Sequence, residues 1–154
     1  PLEDLVLEQY IYLSSLDSLD TEIKKEIALI KQKVERVKDS KALKNTMAKD
    51  LPLNVSAYYW QSLKKCDQLK IAKKIKQPIL ILNGERDYQV PMTDFNIWKK
   101  ELEVNPKNKF KSYTKLNHLF LKGEGKANPA EYEVSGNVDY RVVLDMVEFI
   151  KSMK

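Results

Sequence analysis

The chain is poor in the residues that most often staple small folds or bind metals. Its 154 residues include one cysteine, Cys66, and one histidine, His118. An internal disulfide is therefore excluded, and neither a tetrahedral zinc site nor another metal centre is expected. Cys66 sits in a lysine-rich stretch with no neighbouring histidine and reads as structural or inert. Arginine is scarce too: among 27 basic residues only Arg36, Arg86 and Arg141 are arginine. Base edges and phosphate forks favour arginine, and the lysines are scattered among glutamates. The net charge of +5 thus reads as a solvated surface, with no nucleic-acid partner. No apolar run approaches the roughly 18 residues of a membrane span, and no signal peptide is visible; that absence says little about location, and of the compartments the cytoplasm is favoured. The glycines are only Gly84, Gly123, Gly125 and Gly136. None brackets a serine as Gly-x-Ser-x-Gly, the strained strand-to-helix turn that presents a nucleophilic hydroxyl. Gly123-Glu124-Gly125-Lys126 is no nucleotide cradle: Phe120 and Ala127 stand where a Walker loop needs glycine and Ser or Thr. No cofactor is expected.

What is present describes a folded chain long enough for a real core, with 43% hydrophobic and 32% charged residues. Leu2, Leu5, Val6, Gln9 and Leu13 recur at helical spacing. A second helix is expected over 20–39: Asp20 is a good N-cap, and Leu16, Leu19, Ile23, Ile27, Ile30, Val34 and Val37 form one stripe. That stripe either packs on its own domain or forms a coiled-coil dimer seam. From Lys38 to Val55 the pattern dissolves, as in a connector or lid loop. Ser56 can then cap a helix bearing Tyr58, Tyr59 and Trp60, which read either as core or as an aromatic wall binding substrate.

The densest signal begins at Pro78. Ile79 to Leu82 reads as a strand buried on both faces, ended by Asn83-Gly84, so that Asp87 falls in the loop beyond its C-terminal end. A helix from Thr93 or Asp94 to about Glu103 and a weaker strand at Lys109–Tyr113 complete a βαβ unit. His118 follows that second strand. Open α/β sheets place their chemistry at this edge, and an acid and a histidine on adjacent loops form the orienting half of a nucleophilic triad. Glu85 and Arg86 read as loop or surface contacts, and Asn117 as support for the histidine loop. The long stretch after His118 reads as a functional or mobile loop. A last helix over about Asp139–Met153 carries Val142, Val143, Met146, Val147 and Ile150 on a stripe suited to packing against a sheet.

The run Pro-Ile-Leu-Ile-Leu-Asn-Gly-Glu-Arg-Asp-Tyr-Gln-Val-Pro at 78–91 resembles the acid-bearing strand and loop of α/β-hydrolases, and Asn117-His118-Leu119-Phe120 resembles their histidine loop. Gly123–Lys126, Pro129–Tyr132 and the final helix extend the likeness, nearest to bacterial dienelactone-hydrolase-like and acyl-ester hydrolases. The resemblance covers about Tyr58 to Lys154. It implies an α/β fold: the C-terminal part of an α/β-hydrolase with at least two parallel strands, flanking helices and an N-terminal helical, lid-like region. The expected division is 1–57, a lid or insertion, and 58–154, the α/β portion. It further implies a small-molecule ester or acyl substrate, Asp87 as triad acid and His118 as triad base. With no elbow in the chain, the nucleophile is expected upstream, and the chain alone is expected to be inactive. A homo-oligomer is expected through an exposed strand edge or the 20–39 helix. The alternative is a non-catalytic oligomerisation or interaction module on an α/β scaffold.

Overall fold

The computed structural model describes residues 1–16 and 21–153. It divides into two compact units, Pro1–Asp67 and Gln68–Lys154.

The first unit is helical. Helices α1 (Leu2–Ser14) and α2 (Thr21–Lys38) pack on each other. The cap expected at Asp20 and the apolar Leu19 lie outside the described residues. Glu22 in the first turn of α2, and Arg36 and Lys38 in its last, suit the helix dipole. Lys64 donates to the carbonyls of Val37 and, at 3.2 Å, Lys38, satisfying acceptors that a helix end leaves open. Of the apolar stripe, Val34 and Val37 are fully buried.

The stretch from Lys38 to Val55 is not the connector its pattern implied. It forms α3 (Ser40–Asn45) and two 3-10 turns, Ala48–Asp50 and Pro52–Asn54, and contributes Leu43 and Leu51 to the core. Asp39 caps α3 by accepting from the Lys41 and Ala42 amides at 2.8 and 3.2 Å. Each piece supplies only one or two apolar side chains, too few to show a period, and Leu53 and Asn54 take positive φ of 56° and 52°. Helix α4 (Ala57–Lys64) follows, with Ser56 Oγ accepting from the Tyr59 amide at 3.3 Å.

The second unit is α/β. After α5 (Gln68–Ala72), strand β1 (Leu80–Gly84) and strand β2 (Lys109–Tyr113) pair in parallel, with Leu80 opposite Lys109 and Gly84 opposite Tyr113. Helix α6 (Met92–Leu102) forms the crossover, and Phe95 meets Phe110 edge-on with ring centres 6.4 Å apart. Buried Asn108 joins three elements: its Nδ2 donates to the Leu102 carbonyl and its Oδ1 accepts from the Ile79 amide, both at 2.9 Å.

Two expectations need correction. Strand β1 runs through Asn83 and Gly84, and its Leu80, Ile81 and Leu82 are half-buried instead of enclosed on both faces. Helix α7 (Tyr140–Lys151) buries only Val142, whereas Val143, Met146, Val147 and Ile150 stay exposed. The cause is the same. A sheet of two strands is too narrow to cover either set. What fixes α7 is Val142, packed with Tyr113 and Leu116, together with Asp145, which accepts from the Tyr113 hydroxyl at 2.5 Å and pairs with Lys111.

Candidate active site

Strand β1 ends where its backbone must pass under the histidine loop. A β-carbon on Gly84 would lie 2.6 Å from the Asn117 carbonyl oxygen and closer still to that of Leu116, so only glycine fits. The two loops are then stitched together, the Glu85 amide to the Tyr113 carbonyl at 2.9 Å and the Arg86 amide to the Leu116 carbonyl at 3.0 Å. Asn83, buried at the strand end, braces the acid loop by donating to the Gly84 and Val90 carbonyls at 3.1 and 3.2 Å.

Asp87 is buried, and its two oxygens have separate tasks. Oδ1 accepts from the Gln89 and Val90 amides at 2.8 and 2.9 Å, an Asx-turn that fixes the side chain. Oδ2 lies 2.8 Å from His118 Nδ1. The geometry selects the tautomer with the proton on Nδ1, since a carboxylate only accepts. The imidazole remains 38% exposed, and among the described residues no hydrogen bond reaches its Nε2. A ring with one nitrogen anchored to a buried carboxylate and the other open is arranged to accept a proton from outside.

The histidine loop is built around Asn117, which is fully buried. Its Oδ1 accepts from the Leu119 and Leu121 amides, both at 3.0 Å, and its Nδ2 donates to Glu131 at 2.9 Å. Phe120 takes φ 56°, a conformation costing a side chain about 1–2 kcal/mol. Its ring packs edge-on against Tyr113, 6.0 Å between centres, which offsets that cost. The bridge between Leu116 and Lys122 closes the loop.

Arg86 was expected to make loop or surface contacts, and it makes loop contacts. Its side chain is only 8% exposed, and its pairing with Glu131 is the main contact near the pair that sequence reading missed. Nε donates to the Gly125 carbonyl at 2.9 Å, Nη2 to that of Glu124 at 3.0 Å, and the guanidinium forks onto both oxygens of Glu131. A β-carbon on Gly123 would collide with this side chain, so the glycine makes room for the arginine. Burial pushes the Glu131 carboxyl up, but the hydrogen bonds from Arg86 and Asn117, with the arginine's charge, outweigh it and hold Glu131 below the usual carboxylate range. Tyr88 stacks on Tyr132 at 6.3 Å, and Gln89 donates to the Tyr132 hydroxyl at 3.1 Å. The stretch after the histidine is thereby clipped to the acid loop, through the 3-10 turn Pro129–Tyr132.

An acid and a histidine are thus joined across the C-terminal ends of two parallel strands. The dienelactone hydrolase family model matches residues 20–153. The chain belongs to the dienelactone hydrolase family. Esterase EstD of Thermotoga maritima is 34% identical over 150 residues, covering 97% of this chain and 34% of the esterase. The chain thus spans about a third of the length of that relative. No solved structure matches it.

Family membership agrees with the α/β fold and with the resemblance carried by residues 78–91 and 117–120. The aromatic trio lies in the first unit, where Trp60 is fully buried among Val37, Leu43 and Leu51 and Tyr58 and Tyr59 are exposed. Trp60 is therefore a core residue in this unit. Among the described residues no cluster of histidine, cysteine and acidic side chains is arranged to hold a metal, and no helix is long and apolar enough to cross a membrane.

Proposed function

We propose that this dienelactone hydrolase family chain supplies the acid and the base of a serine hydrolase triad acting on ester or related acyl bonds. The observation that carries the reading is the 2.8 Å contact between buried Asp87 and His118 Nδ1. In this reading Asp87 holds the imidazole in the Nδ1–H tautomer and stabilises the cation formed in turnover. His118 Nε2 removes the proton from a serine hydroxyl as the hydroxyl attacks the ester carbonyl, then returns it to the leaving alkoxide. Among the described residues no serine hydroxyl bonds to His118; Ser112 donates to Glu85 at 2.7 Å and Ser152 to the Phe149 carbonyl, also at 2.7 Å. With no Gly-x-Ser-x-Gly in the sequence, the attacking serine comes from residues outside this chain.

Two measurements test it. The chain alone is expected to hydrolyse an aryl ester no faster than its His118→Ala variant; turnover clearly above that variant's would show that a nucleophile lies within it. In a longer hydrolase containing the chain, Asp87→Asn leaves the shape intact but puts a donor where His118 Nδ1–H needs an acceptor, and turnover is expected to fall by about 10⁴. A loss of less than about tenfold would remove Asp87 from the triad.

A further inference from the structure

One carboxylate stands behind both members of the pair. Glu131 is gripped by Arg86, the residue before Asp87, and itself grips Asn117, the residue before His118. The direct contact between acid and histidine therefore runs beside a second, parallel link through Arg86, Glu131 and Asn117. We infer that Arg86 and Glu131 are positioning residues that hold the Asp87 and His118 loops in register. This deepens the proposed function and rests on its reading of Asp87 and His118 as a catalytic pair.

The argument is mechanical and electrostatic. His118 is anchored through one nitrogen only, and its ring must stay in place while its charge changes. Its loop is short, holds a side chain at positive φ in Phe120, and is pinned internally by Asn117. Asn117 has one remaining donor group, and that group reaches Glu131 at 2.9 Å. Glu131 cannot drift, because Arg86 forks onto it while the same guanidinium is fixed to the Gly125 and Glu124 carbonyls. Arg86 cannot drift either: its amide is bonded to Leu116, just before the histidine loop. The parts form a closed ring of polar contacts around the pair. A ring of this kind limits motion more than any one bond in it does.

Because His118 is the only histidine, labelling the chain with ¹⁵N-histidine gives two ring nitrogen signals that need no assignment. The wild-type chain is expected to show a single tautomer with a protected Nδ1 proton, and Asp87→Asn to lose it. Glu131→Ala is expected to keep a folded spectrum while that proton exchanges about tenfold faster or disappears and the ring becomes a mixture of tautomers. Glu131→Gln keeps an acceptor for Asn117 and should restore most of the protection. Asp145→Asn loosens α7 in the same unit and should leave the ring signals unchanged, separating positioning from general loss of stability. Should Glu131→Ala fail to fold, Arg86→Lys, which cannot fork onto Glu131, is expected to speed exchange likewise. Unchanged ring signals in folded Glu131→Ala or Arg86→Lys, with the wild-type proton abolished by Asp87→Asn, would overturn the positioning role alone. A wild-type ring indifferent to Asp87→Asn would instead overturn the catalytic pair.

Discussion

In the first unit, four buried apolar side chains, Val37, Leu43, Leu51 and Trp60, hold short helical pieces together, and the polar groups around them sit at helix ends. In the second unit, the loops that bear Asp87 and His118 are joined by Arg86, Asn117 and Glu131; a smaller buried cluster of Tyr113, Leu116 and Val142 lies beside them, and most other apolar residues of β1 and α7 are half-buried or exposed. Apolar packing is non-directional and tolerates small displacements of its parts. A ring of hydrogen bonds fixes angles as well as distances and is costly when left incomplete. The difference therefore separates a region in which volume matters from one in which geometry matters.

The sharpest way to break that contrast is to remove volume from the first unit. Trp60 is fully buried, and Trp60→Ala is expected to cost about 3–5 kcal/mol, read by chemical denaturation followed by circular dichroism. Among the described residues its indole nitrogen has no hydrogen-bond partner, so the tryptophan contributes through its bulk. A loss under about 1 kcal/mol would mean that the unit collapses around the gap and that packing there is loose.

The matching change in the second unit adds volume where geometry is tight. Gly84→Ala pushes a β-carbon against two backbone carbonyls of the histidine loop, which cannot rotate away as a side chain would. The expected cost is about 1–3 kcal/mol. The more telling outcome is local, a loss of the Asp87–His118 hydrogen bond read from the His118 ring nitrogens. A variant with full stability and an intact ring signal would show that the loops have slack.

These two positions also mark how far the sequence could be read. Strand β1 and the acid beyond it were legible because an apolar run and a carboxylate lie within nine residues of each other, from Ile79 to Asp87, although Asn83-Gly84 proved to be the last two residues of the strand and not the turn after it. The end-to-end pairing of Asp87 with His118 followed from the rule that parallel strands present their C-terminal loops on one edge. The Arg86–Glu131 fork was not legible, since its partners are 45 residues apart and neither lies in a periodic element. The segment from Lys38 to Val55 failed for the same reason on the apolar side. Its Leu43 and Leu51 reach the core from separate short turns, each below the length at which a period can be seen.

Acid gives a finer test of the polar ring. Glu131 is held below its ordinary value of 4.5 by Arg86 and Asn117, against the upward push of burial. A carboxyl whose value is lower in the folded chain than in the unfolded one adds stability above its ordinary value, and that stability drains as the pH falls through the folded value. Protection of the His118 ring proton should therefore weaken as the pH drops below about 4.5, where Glu131 begins to take up its proton. Asp139, held at about 2 by its bonds from Arg141, and Asp145, also lowered, protonate in the acid range too. The diagnostic is thus the difference between the wild-type chain and Glu131→Gln. Only the former carries the Glu131 component, and identical acid profiles would assign the whole loss to other carboxylates.

The smallest expected effect returns to the first unit and asks whether any polar contact matters there. Helix α4 spans eight residues, too few to persist by its own propensity, and it carries Trp60 into the core. Ser56 Oγ accepts from the Tyr59 amide at 3.3 Å, satisfying one of the donors exposed at the helix start. Ser56→Ala removes that acceptor and is expected to cost about 0.5–1 kcal/mol, toward the low end for a cap because the bond is long and exposed. Ser56→Asp keeps an acceptor and adds a negative charge at the positive end of the helix dipole, so it should match the wild type or exceed it slightly. The two variants are compared by denaturation midpoint at constant slope, which separates a change in stability from a change in the surface exposed. If Ser56→Ala costs nothing, the burial of Trp60 alone sets the helix, and the first unit is governed by volume throughout. If it costs as much as Trp60→Ala, the apolar core depends on a polar start, and the contrast between the units narrows to one of degree.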